Sequence, residues 1–213
     1  MSVEIIEFTD PGCIWSWSSD AKLARLREST KDVARWRRVL GIAGPRDGTP
    51  EELRASWIEV AAITGATVPD RLEHVPDSLV LSRAARAAEN QGRKRAEAVL
   101  RRLRESVFED GRPADSPERL REALTPIEGL DVERLIRDLE SSLVLWTLDA
   151  DRTETRRPHP DVVARRDGDD LRYPFPTLIV RGPGGERILA GWIEYEVYSA
   201  AIVDVTSAEP VAR

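Results

Sequence analysis

The chain has 213 residues, of which 41% are hydrophobic and 33% charged, and its net charge is -6. This mildly acidic balance argues against the basic surface that nucleic acid or an anionic membrane would require, and we expect neither partner. No apolar run approaches the roughly 20 residues that cross a bilayer, and the length suits one large domain or a domain with an insertion.

Cysteine use and the N-terminal sequence favour a cytoplasmic protein. Cys13 is the only cysteine, which suits a reducing compartment. Residues 1–20 lack a basic region followed by an apolar stretch, and an apolar run already begins at Val3, so we expect no signal peptide. His74 and His159 are isolated along the sequence, so we expect no metal site.

The chain begins with a predicted strand, a tight turn and a helix. The apolar run Val3–Phe8 is typical of a buried strand, and Asp10-Pro11-Gly12 ends it with turn residues. Helical spacing starts at Ile14, so Cys13 lies in or near the first turn of a helix. Unpaired N–H groups and the helix dipole favour a thiolate there. The alternative is that Cys13 is a small buried hydrophobic residue.

The segment Asp32–Leu40 follows as a second predicted strand. Its side chains alternate in a way that indicates partial exposure. Together with the first strand and the helix between them it forms a β-α-β unit, and we therefore expect the two strands to be parallel.

The middle of the chain, roughly residues 50 to 150, is predicted to be all helical. Thr49, Pro50 and Glu52 form a helix start with a threonine cap, proline at the first position and glutamate three residues after the cap. No fixed period recurs, so the region is one insertion and not a repeat. The predicted helices cover 50–65, Ser78–Asn90, Arg93–Phe108, Ser116–Leu124 and Asp131 to about Leu148.

Two strands and a helix complete the chain. We expect one or two helical turns in Asp161–Arg166, then strands at Arg172–Val180 and Glu186–Trp192. The glycine-rich turn 182–185 joins these strands, which should therefore be antiparallel. The last predicted helix runs from about Ile193 to Val205.

Two segments resemble the active-site motifs of DsbA-like thioredoxin-fold proteins. The first, Glu7–Trp17 (EFTDPGCIWSW), is most similar to the FrnE-type branch, with the pattern D-P-x-C-P-W-C-[YW]. The second, Tyr173–Val180 (YPFPTLIV), resembles the family's x-V-P-T-F-V-V strand, in which the proline is cis and faces the cysteine. Between them, Trp36–Leu40 resembles the family's second strand.

The resemblance implies an α/β class protein with a thioredoxin-like fold. Its central mixed β-sheet would follow the order β-α-β and then β-β-α, with a large all-helical insertion. Residues 1–48 and 155–207 would form the discontinuous thioredoxin-like domain. Residues 49–154 would form the helical insertion domain, which we expect to pack over the cysteine.

The chain departs from this family at the second cysteine of the Cys-x-x-Cys pair. Ser16 holds that position, and Ile14 replaces the proline of the motif. The chain therefore cannot form an internal disulfide or resolve a mixed disulfide alone. A monothiol mechanism remains, in which Cys13 attacks and an external thiol resolves the adduct.

Two further residues are assigned to catalysis. Residues three apart on a helix are neighbours, so the Ser16 hydroxyl can donate a hydrogen bond to the Cys13 thiolate; the alternative is an ordinary first-turn serine. Relatives place a buried acid six residues before the cysteine, which implies that Glu7 relays a proton and has a raised pKa if buried. The alternative for Glu7 is a solvated carboxylate at the strand edge.

Four residues are predicted to bind the substrate. The resemblance implies a cis bond before Pro176, which would turn the carbonyl and N–H groups of Phe175 outward to pair with an extended substrate. Thr177 would shape the same wall. Trp15 would present a flat apolar ring beside Cys13.

Three functions are compatible with these residues. The first is a DsbA-like thiol oxidoreductase that uses Cys13 alone, with no tightly bound cofactor and a low-molecular-weight thiol as co-substrate. The second is a kappa-type glutathione transferase or isomerase-like enzyme that uses the sulfur of a bound small thiol; those relatives carry serine where this chain keeps Cys13. The third is a non-catalytic module that binds an extended peptide or a partner chain.

The expected partners follow from these three functions. They are a small-molecule thiol or disulfide, or an extended peptide. The exposed arginines of the second predicted strand are compatible with a dimer face or with water, so both a monomer and an oligomer remain open.

Overall fold

The structure is a computed structural model that describes residues 3–43 and 48–207. The strands are β1 Val3–Thr9, β2 Ala34–Leu40, β3 Arg165–Asp167, β4 Asp170–Arg172, β5 Thr177–Gly182 and β6 Gly185–Ala190. The helices are α1 Ile14–Ser29, α2 Pro50–Thr64, α3 Ser78–Glu89, α4 Arg93–Phe108, α5 Pro117–Leu124, α6 Val132–Asp138, α7 Ser142–Thr155 and α8 Tyr195–Thr206.

A mixed four-stranded sheet of order β2-β1-β5-β6 forms the centre of the fold. β1 runs parallel to β2 and antiparallel to β5, and β5 pairs antiparallel with β6. Both predicted strand orientations are therefore confirmed. The parallel pair encloses α1 in the sequence, and the hairpin precedes α8, which is the predicted order of β-α-β and then β-β-α.

Side chains of β1 alternate between the two faces of this sheet. Val3 and Ile5 pack in one hydrophobic cluster with side chains of α1 and α8. Ile6 and Phe8 pack in another cluster on the opposite face, which also contains Phe175. Side chains therefore pack on both faces of β1, and this packing fixes the position of the strand end from which the turn to α1 begins.

Helices α2 to α7 form a further hydrophobic core beside the sheet. Their buried side chains pack with Ile14 at the start of α1 and with Leu40 at the end of β2. The predicted start of α2 is confirmed, because Thr49 Oγ1 accepts from Glu52 N–H at 3.2 Å and Glu52 Oε2 accepts from Thr49 N–H at 2.8 Å. None of the described helices combines the length and apolar character that a bilayer crossing needs.

The single helix predicted from Asp131 to about Leu148 is wrong. The structure has two helices there, α6 and α7, because the Ser141 hydroxyl accepts from Val144 N–H at 3.4 Å and caps a new helix. The second helix places Val144 in the core and leaves Trp146 71% exposed.

Two other predictions near the C-terminus are corrected by the structure. Residues Asp161–Arg166 were expected to be helical, but the chain instead forms the hairpin of β3 and β4 from residue 165. The strand predicted from Arg172 begins only at Thr177 as β5. Pro174 and Pro176 have no N–H group to donate to a strand ladder, which explains the later start.

Candidate active site

Cys13 lies on the turn between β1 and α1, where it is the N-cap residue of the helix. Its backbone is extended, with φ -94° and ψ 118°, and Trp17 N–H donates to Cys13 O at 3.0 Å. The side chain is half-buried, and Sγ lies 3.9 Å from Phe175 O. The two predicted motifs, 162 residues apart in the sequence, therefore meet at this sulfur.

The segment opposite Cys13 is built from three of the predicted substrate-binding residues. The peptide bond between Phe175 and Pro176 is cis, and the Phe175 ring is 4% exposed. Thr177 is fully buried, and its hydroxyl donates to Pro174 O at 2.7 Å. The Thr177 hydroxyl thus stabilises the conformation of residues 174–177, and the Phe175 carbonyl oxygen faces the sulfur.

Asp10 organises the turn, a role that the sequence analysis missed. This fully buried side chain accepts from Gly12 N–H at 2.6 Å and from the Ser78 hydroxyl at 3.1 Å through Oδ1. Its Oδ2 accepts from Ala43 N–H at 2.6 Å. Aspartate commonly accepts from the N–H two residues on, so Asp10-Pro11-Gly12 carried the signal for the first bond. The other two bonds join the turn to α3 and to the residues after β2.

Gly12 lies so close to α3 that a larger residue would force the Ser78 side chain to move. An added Cβ would lie 2.8 Å from Ser78 Oγ and 3.4 Å from Asp10 Oδ1. We expect Gly12→Ala to lower the free energy of unfolding by about 1–3 kcal/mol and to slow the alkylation of Cys13. Urea unfolding and the iodoacetamide rate measure these effects.

A double mutant separates this steric clash from other causes. Ser78→Ala removes the oxygen that a Cβ at Gly12 would meet, so the double variant should lose less stability than the sum of the two single variants. Additivity within about 0.5 kcal/mol would contradict the close contact.

Glu7 is buried as predicted, but its pKa moves in the opposite direction. The side chain is 1% exposed, and Oε2 accepts from Arg27 and from Arg38 Nε, the latter at 3.3 Å. Burial alone would raise the pKa of Glu7, but the charges of Arg27, Arg38 and Arg104 together lower it to about 2. Glu7 is therefore ionised at neutral pH and holds no proton to relay there.

Ser16 and Trp15 occupy the first turn of α1. Ser16 is fully buried, and its hydroxyl has no hydrogen-bond partner within the described residues. The predicted bond to Cys13 is therefore wrong, because Cys13 precedes the helix with an extended backbone and its sulfur faces Phe175. Trp15 is half-buried and packs against the helical core.

The two histidines make contacts with nearby acids. His74 Nε2 lies 2.8 Å from Asp115 Oδ1, and His159 Nδ1 accepts from Asp161 N–H at 3.2 Å. Across residues 3–43 and 48–207 there is no group of three or more His, Cys, Asp or Glu side chains placed to hold a metal ion.

A protein-family model described as Thioredoxin matches residues 7–157. A search of curated proteins found no match. The family match includes the end of β1, the Cys13 turn and all of the helices α2 to α7.

Several solved structures share the fold. A Nitrosomonas europaea protein, provisionally described as a protein disulfide isomerase, has a TM-score of 0.75 at 12% identity and covers 95% of this chain and 97% of its own. Cytosolic disulfide reductase DsbM from Pseudomonas aeruginosa has a TM-score of 0.65 at 20% identity and 94% coverage of both chains. Reduced DsbA1 from Neisseria meningitidis has a TM-score of 0.57 at 17% identity and covers 95% and 81%.

These likenesses confirm the predicted fold, a thioredoxin-like mixed sheet with helices and a helical region. Because the sequence identities are only 12–20%, these likenesses are evidence for the fold and for nothing further. The assignment to the FrnE-type branch and the division into two domains stay predictions.

Proposed function

The chain belongs to the thioredoxin family, and we propose that it is a thiol-disulfide oxidoreductase or thiol transferase whose single nucleophile is Cys13. The observation that carries this proposal is the position of Sγ. It is half-buried at the N-cap of α1 and lies 3.9 Å from Phe175 O, on the segment that precedes Pro176. Ser16 at the second position supplies no resolving sulfur, so the cycle needs an external thiol.

The proposed cycle consists of successive thiol–disulfide exchanges. The Cys13 thiolate attacks one sulfur of a substrate disulfide, so that a Cys13–substrate S–S bond forms and the substrate S–S bond breaks. The second substrate sulfur leaves as a thiolate and takes a proton from water. An external thiolate then attacks the substrate sulfur of the mixed disulfide and frees Cys13. A second external thiol reduces the resulting disulfide and completes the two-electron reduction.

The named activity of one protein of similar fold supports the choice of partner. DsbM from Pseudomonas aeruginosa is a cytosolic disulfide reductase, and its structure has also been solved with GSH. For the present chain we accordingly propose reduction of disulfides in the cytoplasm, with a low-molecular-weight thiol as co-substrate.

The test follows glutathione transfer from a fluorescent peptide–glutathione mixed disulfide in the presence of excess GSH. We expect catalytic release of the free peptide and a glutathione adduct on Cys13, which intact mass spectrometry detects. Cys13→Ser should lose the adduct and return turnover to the uncatalysed rate. No turnover above that rate by the unmodified protein would contradict the proposal.

A matched control moves the only thiol to the other end of α1. The double variant Cys13→Ser/Ser29→Cys carries one exposed cysteine in the last turn of the same helix. It should form adducts as slowly as an unstructured thiol and show no turnover. Equal turnover would mean that any accessible thiol suffices and that the Cys13 site is not an active site.

The two alternative functions correspond to other outcomes of this experiment. A kappa-type transferase or isomerase-like enzyme would bind GSH with the same affinity after Cys13→Ser and would also keep its turnover, because the sulfur of bound GSH is then the nucleophile. A non-catalytic module would bind the extended peptide without any release of glutathione. Both outcomes would overturn the monothiol cycle.

A further inference from the structure

Arg104 is a fully buried arginine that extends from α4 to the Cys13 turn. It is 0% exposed. Its Nη2 donates to Thr9 Oγ1 at 2.7 Å, and its Nη1 donates to the Asp20 carboxylate. Thr9 ends β1, and Asp20 lies in the second turn of α1. One guanidinium therefore holds the chain on both sides of the turn formed by residues 10–13.

The burial of this charge is expensive for stability. Removing a guanidinium from water costs several kcal/mol, and an apolar residue of similar volume is often as stable or more stable at such a position. Arg104 Nε also lacks a hydrogen-bond partner among the described residues. The advantage of arginine at this position is the planar guanidinium group, whose two terminal nitrogens hold the acceptors on Thr9 and Asp20 at a fixed distance from each other.

The contact with Thr9 leads to the segment opposite Cys13. Thr9 O accepts from Gly41 N–H at 2.9 Å. A Cβ at Gly41 would lie 2.5 Å from Phe175 Cζ, so the Phe175 ring packs directly on the Gly41 backbone. Arg104 is therefore connected to Phe175 through Thr9 and Gly41, and to the helix capped by Cys13 through Asp20.

We propose that Arg104 is a positioning residue that holds Cys13 Sγ in register with the Phe175 carbonyl. This role rests on the function proposed above, since it concerns the presentation of the same sulfur. Arg104 touches neither the sulfur nor a substrate site directly, and acts through Thr9 and Asp20. The helical region, which contributes Arg104, is then part of the active site's geometry.

The variant Arg104→Lys tests this role because it keeps the positive charge and loses the planar fork. A small displacement of a reacting group costs up to about 100-fold in rate, and we expect alkylation of Cys13 to slow at least about tenfold at fixed pH. In the glutathione-transfer assay kcat should fall by a similar factor, with KM within about twofold. Thr9→Val should produce a comparable loss, and the two changes together should be non-additive.

Arg86→Lys is the matched control for a general loss of stability. Arg86 is also a buried guanidinium of the helical region, at 8% exposure. It donates to Asp151 and to Arg38 O, the latter at 3.3 Å. Both lysine variants should lower the melting temperature, but only Arg104→Lys should slow alkylation. Equal slowing of both variants, or an unchanged rate in Arg104→Lys, would overturn the proposal.

The outcomes separate this inference from the proposed function. The alkylation rate reports the reactivity and accessibility of Cys13 and needs no turnover, so it decides the role of Arg104 even for a protein without turnover. Turnover in the unmodified protein together with an unaffected Arg104→Lys variant would remove the positioning role and leave the monothiol cycle intact.

Discussion

Asp10→Ala is expected to lose about 3–5 kcal/mol of unfolding free energy and most of the reactivity of Cys13. The two oxygens of this fully buried side chain accept from Gly12 N–H, Ala43 N–H and the Ser78 hydroxyl. Alanine would leave three donors without an acceptor, and each buried unsatisfied group costs about 1–3 kcal/mol. The turn would then lose its attachment both to α3 and to the residues after β2.

Denaturant unfolding at neutral pH measures the first effect, and the iodoacetamide rate of the folded protein measures the second. A loss of this size is comparable with the whole stability of many domains, about 5–15 kcal/mol, so Asp10→Asn provides a milder variant. The amide keeps the shape but places an NH2 group where the carboxylate accepted a bond. We expect a loss of about 1–3 kcal/mol.

The control is Asp32→Asn, which changes an exposed acid. It should stay within about 0.5 kcal/mol of the unmodified protein and leave alkylation unchanged. If Asp10→Asn were as stable and as reactive as Asp32→Asn, the three bonds to Asp10 would not hold the turn.

Much of the fold could be predicted because the decisive signals are local. The cap at Thr49 fixes the start of α2 through bonds within three residues, and such bonds are visible in the sequence. The break before α7 was missed because Leu139 continues the apolar spacing across it, and this hides the cap at Ser141. The β3–β4 hairpin consists of three-residue, mostly exposed strands with no apolar alternation to reveal them.

The candidate site was predictable only where a motif carried it. The motifs indicated that Cys13 would face the segment around Pro176, and in the structure its sulfur meets the neighbouring Phe175 carbonyl across 162 residues. The supporting residues depend on contacts between distant elements, such as Ser78 with Asp10 across 68 residues. Arg104 likewise reaches Thr9 across 95 residues, and no spacing rule connects those positions. These contacts became visible only once the helices were packed on the sheet.

Glu7 shows why burial alone is not enough to predict a pKa. The sequence indicated a buried acid, and desolvation by itself does raise such a pKa. The outcome was decided by Arg27 and Arg38, which lie 20 and 31 residues away and become neighbours only in the folded chain. The sign of the shift therefore depended on tertiary contacts with opposite charge.

Glu7→Gln is expected to lower the free energy of unfolding at pH 7 by about 3–5 kcal/mol. The carboxylate is paired with the guanidinium groups of Arg27 and Arg38, whose side chains are 13% and 10% exposed. Glutamine removes the negative charge and leaves two largely buried cations, for which Glu97, at 37% exposure, is the remaining acidic partner among the described residues. Breaking one member of a buried ion pair is costly for this reason.

The pH dependence of this effect follows from the pKa of Glu7. Its pKa falls from an ordinary value of 4.5 to about 2 in the folded protein, which corresponds to about 3 kcal/mol of stability. Because the folded-state pKa is the lower one, this stability is present above pH 4.5 and is lost as the pH falls from 4.5 toward 2. The Glu7→Gln side chain does not titrate. The free energy of unfolding of this variant should therefore fall less steeply than that of the unmodified protein as the pH drops from 4.5 toward 2.

Denaturant unfolding of the unmodified protein and of Glu7→Gln, each at pH 7 and at pH 3, measures how the difference in their free energies of unfolding changes with pH. The difference between unmodified protein and Glu7→Gln should shrink as the pH falls below 4.5, because Glu7 of the unfolded chain takes up a proton there while the folded protein still holds the carboxylate ionised. Glu4→Gln is the control on the same strand: Glu4 is 27% exposed and pairs with Arg35 at 2.5 Å, so its loss should stay below about 1 kcal/mol. A difference for Glu7→Gln that is as large at pH 3 as at pH 7 would show that shape, and not charge, makes Glu7 important. The buried arginines around β1 would then be stabilised by other groups than this carboxylate.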